Sequence, residues 1–264
     1  MGVIAGEEEA GAVKTLAVLQ ARMTSTRFPG KVVADLAGQP MLLRQIERMK
    51  RAETLDGIVL ATSTEPSDDP LEELGRSAGI PVVRGSLDDV LDRFVRVIEK
   101  FEPDIVVRIT GDCPLISPSV IDRVVLRYLE SGADYVSNTM TPTYPDGLDV
   151  EVVKASVLRE VAGTSTDKDE REHVTLGVYR RPDVFRIANV AGEVDLSHLR
   201  WTVDTPDDFA FVADVYDELY PAKPDFDLAD VLAYLERHPE RTRTEADATR
   251  NAALAGLDTG AMNA

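Results

Sequence analysis

Leu16-Ala-Val-Leu-Gln-Ala-Arg-Met-Thr-Ser-Thr-Arg-Phe-Pro-Gly-Lys31 decides how the rest of the chain reads. It opens on a short apolar run, Leu16 to Leu19, with the length and composition of a buried strand. The run breaks into a polar loop that carries Arg22, Arg27 and Lys31 and turns at Pro29-Gly30. Beyond it, Leu36-Ala-Gly-Gln-Pro-Met-Leu-Leu-Arg-Gln-Ile46 leads into a helix, with Pro40 suited to the first turn. Strand, cationic loop and helix in that order make an anion site, because backbone N–H groups and fixed positive charge face one group. The loop is not a Walker A loop: residue 25 is Ser, and Lys31 is followed by Val32.

Outward from this stretch, short apolar runs alternate with amphipathic ones. Strands are predicted over 57–63, 80–84, 105–109 and 133–137, and helices over 69–78, 87–101 and 118–130. The second of these helices has apolar residues at 87, 90, 91, 94, 95 and 98, the spacing of one buried face. The third starts at Pro118 and stops before Gly132. Such alternation predicts an α/β fold with a mostly parallel sheet and helices on both faces. Ligands bind such sheets at the carboxyl ends of strands, where the strand order reverses. The strand ending in Arg108-Ile-Thr-Gly-Asp-Cys-Pro-Leu115 is the expected neighbour of the first.

After about residue 138 the pattern changes. Residues 139–200 read as a small inserted subdomain that walls the site and serves acceptor binding or dimerisation. It holds a charged helix over 167–179 and a strand over 184–190; a further strand is predicted over 198–203. Helices over 206–220 and 227–238 pack back on the sheet. The whole is one domain over 14–240, between a polar tail at 1–13 and a second tail at 241–264, both read as disordered.

Twenty-nine Lys and Arg stand against forty-seven Asp and Glu in 264 residues, a net charge of −18. That surface repels polyanions and argues against nucleic acid or an anionic membrane as partner. The loop cations are a local exception, suited to a small phosphate ligand. The single cysteine, Cys113, allows no intrachain disulfide. No apolar run approaches the roughly twenty residues that span a bilayer, and no signal-peptide pattern opens the chain. The expectation is a cytoplasmic protein.

Two aspartates stand out by position. Asp112 and Asp204 each follow an apolar run and precede a proline within two residues. Two carboxylates converging on a phosphate loop are what a Mg²⁺–nucleotide site needs; for Asp204 a helix N-cap is the competing role. Cys113 beside Pro114 reads as a small buried residue rather than a nucleophile. His173 lies on a charged helix, and the three histidines lack metal-ligand spacing. Tyr144-Pro-Asp-Gly-Leu-Asp149 is a tight turn with an aromatic face and two carboxylates, groups that fit a sugar.

Five ordered motifs, Gln20–Lys31, Arg108–Leu115, Pro145–Glu151, Glu172–Thr175 and Leu199–Pro206, resemble the cytidylyltransferase family, which includes the CMP-N-acetylneuraminate and CMP-Kdo synthetases. The likeness is greatest to the spore-coat-polysaccharide-type branch and runs from about residue 14 to 238. It implies a Rossmann-like nucleotidyltransferase fold, a homodimer, CTP and Mg²⁺. Carried onto this chain, it implies that Arg22, Lys31 and Asp112 are catalytic. Ala21, Arg22, Arg27, Lys31, Ser63, Arg108 and Asp112 would meet the nucleotide. Asp112 and Asp204 would hold metal; Tyr144, Asp146, Glu172 and His173 would meet a small acidic acceptor. The rival readings are a glycosyltransferase using a nucleotide sugar and an inactive nucleotide-binding protein. The one Asp-x-Asp, Asp225-Phe-Asp227, sits between late helices, which counts against the first.

Overall fold

The computed structural model describes residues 13–244; the tails expected at 1–13 and 241–264 lie outside it, apart from Val13 and residues 241–244. In chain order the strands are β1 (Thr15–Gln20), the hairpin arms β2 (Asp35–Leu36) and β3 (Gln39–Pro40), β4 (Gly57–Ser63), β5 (Val82–Gly85), β6 (Ile105–Thr110), β7 (Tyr135–Ser137), β8 (Glu151–Lys154) and β9 (Ile187–Asn189). The helices are α1 (Met41–Met49), α2 (Asp69–Ser77), α3 (Val90–Phe101), α4 (Pro118–Ser131), α5 (Ala155–Thr164), α6 (Lys168–Glu172), α7 (Leu176–Tyr179), α8 (Pro206–Leu219) and α9 (Leu228–Arg237).

β1 lies inside a seven-stranded sheet of order β5-β4-β1-β6-β8-β7-β9. It is parallel to β4 on one side and to β6 on the other, which is why its apolar run is nearly continuous. Alternate residues serve opposite faces. Ala17 and Leu19 join the core beneath α1, α4, α8 and α9; Leu16 and Val18 join the one beneath α3, α5 and α7. The chain runs from β1 outward through β4 to β5, then returns to place β6 on the other side of β1. The strand order therefore reverses between β1 and β6, with the cationic loop at one lip and Gly111–Leu115 at the other.

The segment 139–200 departs from a simple insertion. Its strand β8 enters the main sheet between β6 and β7, antiparallel to both, and β9 extends the edge beyond β7. The helix expected over 167–179 is two short ones, interrupted at Val174, whose φ is +52°. The strand expected over 198–203 is an extended segment tied to loops: Leu199 and Arg200 make single bridges, to Thr244 and Asp146.

Candidate active site

At the reversal point lies a cleft of about 490 Å³. The structure brings ten of the expected residues to its lining: Ala21, Arg22, Arg27 and Lys31 from the loop, Arg108 and Asp112 from β6 and its end, and Asp146, Glu172, His173 and Asp204 from the later chain. Two do not arrive. Ser63 is buried and its hydroxyl donates to Asp68 at 2.5 Å. Tyr144 turns into the core, with its hydroxyl accepting from Arg123 at 3.1 Å. Gly147 makes that turn possible: its φ is +108°, and a Cβ there would lie 2.6 Å from the Thr202 nitrogen.

Lys31 is the pivot of the site. It is buried, and its ammonium donates to the Val203 carbonyl at 2.6 Å, to Asp204 at 3.2 Å and to Asp112 at 3.5 Å. Both aspartates thus reach the same ammonium. Burial pushes the Asp112 carboxyl up, but Lys31 and a hydrogen bond from Thr110 outweigh it and hold it below the ordinary value. Asp204 also pairs with Arg27 at 2.9 Å and accepts from Arg200 at 2.8 Å. It is free to do so because Thr205, not Asp204, caps α8, in a capping box with Asp208. Cys113 stays a thiol, since burial and the Asp112 charge raise its pKa well above the usual thiol range.

Four supporting residues were missed by sequence reasoning. Arg200, 2% exposed, joins Asp146 and Asp204 at 2.8 Å each and Asp208 at 3.4 Å. Its signal was a charge inside the apolar run Leu199–Val203. Glu151 lies directly opposite Arg108 in the β6–β8 register and pairs with it. It also accepts from Tyr135 at 2.7 Å and Thr175 at 2.6 Å. Burial raises the Glu151 carboxyl, but Arg108 and these hydroxyls carry it below its ordinary value. Asp89 caps α3 through one oxygen and binds Arg171 through the other at 2.6 Å, which ties α6, with Glu172 at its end and His173 next to it, to the start of α3. Burial lowers the His173 imidazole, so it is neutral at pH 7.

Asp68 is the fourth. It is fully buried and accepts from the Met23 N–H at 2.7 Å, which pins the cationic loop, and from Thr62 and Ser63 at 3.1, 3.2 and 2.5 Å. Asp68→Ala is expected to cost about 2–4 kcal/mol of unfolding free energy, because a charge-assisted set of bonds is lost and buried donors are orphaned. Urea titration reads this directly; a loss below about 0.5 kcal/mol would show that the loop holds its own shape.

Comparison with known proteins supplies the family. The family described as cytidylyltransferase matches residues 16–219. The spore coat polysaccharide biosynthesis protein SpsF of Bacillus subtilis is 33% identical over 240 residues, covering 88% of this chain and 98% of its own. The mitochondrial 3-deoxy-manno-octulosonate cytidylyltransferase of Arabidopsis thaliana is 39% identical over 150 residues, 54% of this chain and 50% of its own. A cytidylyltransferase structure from Leptospira borgpetersenii superposes with a TM-score of 0.82 at 29% identity, over 87% of this chain and 96% of its own. With the family model matched over most of the chain and SpsF matched over 98% of its own length, the chain belongs to the cytidylyltransferase family, the CTP-dependent nucleotidyltransferases.

Proposed function

We propose that this chain transfers CMP from CTP to a small acidic acceptor, a carboxylated sugar or a phosphonate, with release of pyrophosphate. The observation that carries the reading is the Lys31 ammonium held between Asp112 and Asp204 at the reversal point of the sheet. An acceptor oxygen attacks the α-phosphorus, and the bond to the bridging oxygen of pyrophosphate breaks. Lys31, Arg22 and Arg27 line the cleft as cations that would face the charge building on the phosphates, Lys31 and Arg27 exchanging their contacts with Asp112 and Asp204 for phosphate oxygens. An acceptor that is already anionic needs no strong base, which suits a cleft with a neutral imidazole and carboxylates held ionised.

The donor set fits Mg²⁺ in a particular way. No cluster of three or more metal-ligating side chains occurs among the described residues. Two carboxylates facing one point suffice for an ion that brings phosphate oxygens and waters as its other ligands. Asp112 and Asp204 would hold it, and Mg²⁺ would supply charge neutralisation of the triphosphate. The ammonium now between them stands where such an ion would share the carboxylates.

On the base side, Ala21 donates its N–H to the Ala61 carbonyl at 3.1 Å, so cytosine would meet the remaining polar edges of that segment. Asp146, Glu172 and His173 would meet the acceptor, and Arg108 the nucleotide; all four line the cleft. A cytoplasmic homodimer is part of the same reading. Pyrophosphate release tests the whole. CTP is expected to outperform ATP and GTP, with activity from 2-keto sugar acids or phosphonates. Equal use of ATP would reject the base assignment. Turnover with neutral sugars alone would reject the acceptor class.

A further inference from the structure

Arg93 is out of place on α3. Helical spacing sets it with Val90, Phe94 and Val97 on the face that packs against the sheet, and it is only 2% exposed. A guanidinium so buried ordinarily has oxygen partners for its five N–H groups. Arg48 and Arg200, also 2% exposed, have theirs in backbone carbonyls and in Asp227, Asp146, Asp204 and Asp208. Among the described residues, Nε of Arg93 has no hydrogen-bond partner, and no carboxylate reaches the guanidinium within ion-pair distance. The nearest acids are committed elsewhere: Asp68 to Met23, Thr62 and Ser63, and Asp89 to Arg171 and the α3 cap.

The side chain nonetheless lines the cleft, in company with Arg22. The fold makes room for it there, because a Cβ on Gly85 at the end of β5 would lie 2.7 Å from the Arg93 Cγ. Burial first, and then the charge of Arg22, hold the guanidinium below its ordinary pKa, with Asp68 and Asp89 compensating in part. Two cations are thus gathered in a cleft, one of them buried with no carboxylate at ion-pair distance among the described residues.

We propose that Arg93 is an anion-binding residue of the cleft and receives, together with Arg22, a phosphate group of the bound nucleotide. This rests on the reading of the cleft as a nucleotide site. A base carbonyl would satisfy the Nε–H but would leave the charge unbalanced; a phosphate does both.

Isothermal titration with cytidine, CMP, inorganic pyrophosphate and CTP, on the wild type, Arg93→Met and Arg93→Lys, tests this. Arg93→Met is expected to keep its cytidine affinity and to bind CTP, and either CMP or pyrophosphate, at least about tenfold more weakly, the scale of a lost charge-assisted bond. CMP and pyrophosphate separate the α-phosphate from the β,γ pair. Arg93→Lys should lose less. The ligand-free Tm of Arg93→Met should hold or rise, since an uncompensated buried charge is gone, whereas a merely structural role would lower it. Unchanged affinity for both CMP and pyrophosphate overturns the proposal, as does an equal loss for cytidine. If the wild type binds pyrophosphate through Arg93 but not CTP, the anion site stands and the nucleotide reading falls. Should Arg93→Met unfold, the Arg93→Lys titrations and the wild-type Arg93 Nε–H resonance decide: a resonance unmoved by pyrophosphate overturns the proposal.

Discussion

Lys31→Ala is expected to cut turnover about a hundredfold or more, the scale of removing a donor from developing phosphate charge. The structure adds a second, separable effect. Lys31 neutralises Asp112 and Asp204 and satisfies the Val203 carbonyl, so its loss leaves two neighbouring carboxylates without the cation they share and a buried acceptor without its donor. The Asp112 carboxyl lies below its ordinary value in the folded protein. Its contribution to stability is therefore complete above the unfolded carboxylate pKa, about 3.9, and is lost only as pH falls through the lower folded value. Without Lys31 that contribution disappears and repulsion replaces it at neutral pH. The Tm deficit of Lys31→Ala should be large at pH 7 and smaller near pH 4, where protonation removes the repulsion. Near-normal kcat/KM in the folded variant would remove Lys31 from the chemistry. An equal deficit at both pH values would assign the loss to the Val203 bond and to packing.

What the sequence disclosed of this site and what it concealed divide along a physical line. The run Leu16–Leu19 is apolar because both neighbours of β1 are parallel and both faces are covered, so the strand and its loop were legible from local composition. The pairing of β6 with β1 followed from the reversal rule. The partner on the other flank of β6 did not. β8 has four residues after a turn-rich stretch, and its entry between β6 and β7 is decided by contacts distant in sequence. Because that register was hidden, so was the Arg108–Glu151 pair, and Arg108 looked freer than it is. Ser63 illustrates the converse: β4 ends where expected, but a buried carboxylate from the next turn takes its hydroxyl. Val174 breaks the helix of 167–179 in a left-handed conformation that no valine favours, held by buried tertiary contacts that local propensity does not encode.

Charged residues within apolar patterns were the readable clues left unread. Arg200 inside Leu199–Val203, and Arg93 at the helical spacing of Val90 and Val97, both break the hydrophobic pattern of their elements. The structure shows two outcomes for such a break. Arg200 is enclosed by Asp146, Asp204 and Asp208 and holds the acidic side of the cleft in place. Arg93 is enclosed by nothing of opposite sign at contact distance.

Asp112→Asn and Asp204→Asn are each expected to depress turnover and raise the Mg²⁺ concentration needed for half-maximal rate, by about tenfold or more apiece, if the two share one ion with the triphosphate. Their shared contact with the Lys31 ammonium brings both carboxylates to the same part of the cleft. The variants should differ in the ligand-free protein. Asp204 balances Arg27, Lys31 and Arg200, so its amide leaves three cations undercompensated; Asp112 has only Lys31 as an ion-pair partner among the described residues. Asp204→Asn is therefore the more destabilising substitution, although the two act on the same ion. The double variant should lose much less activity than the product of the singles, because once either carboxylate is gone the ion is already held poorly. Activity measured against Mg²⁺ concentration at fixed CTP gives all four corners of this cycle. Multiplicative losses, with the Mg²⁺ dependence of each single variant unchanged, would show that the aspartates serve only to orient Lys31 and the loop.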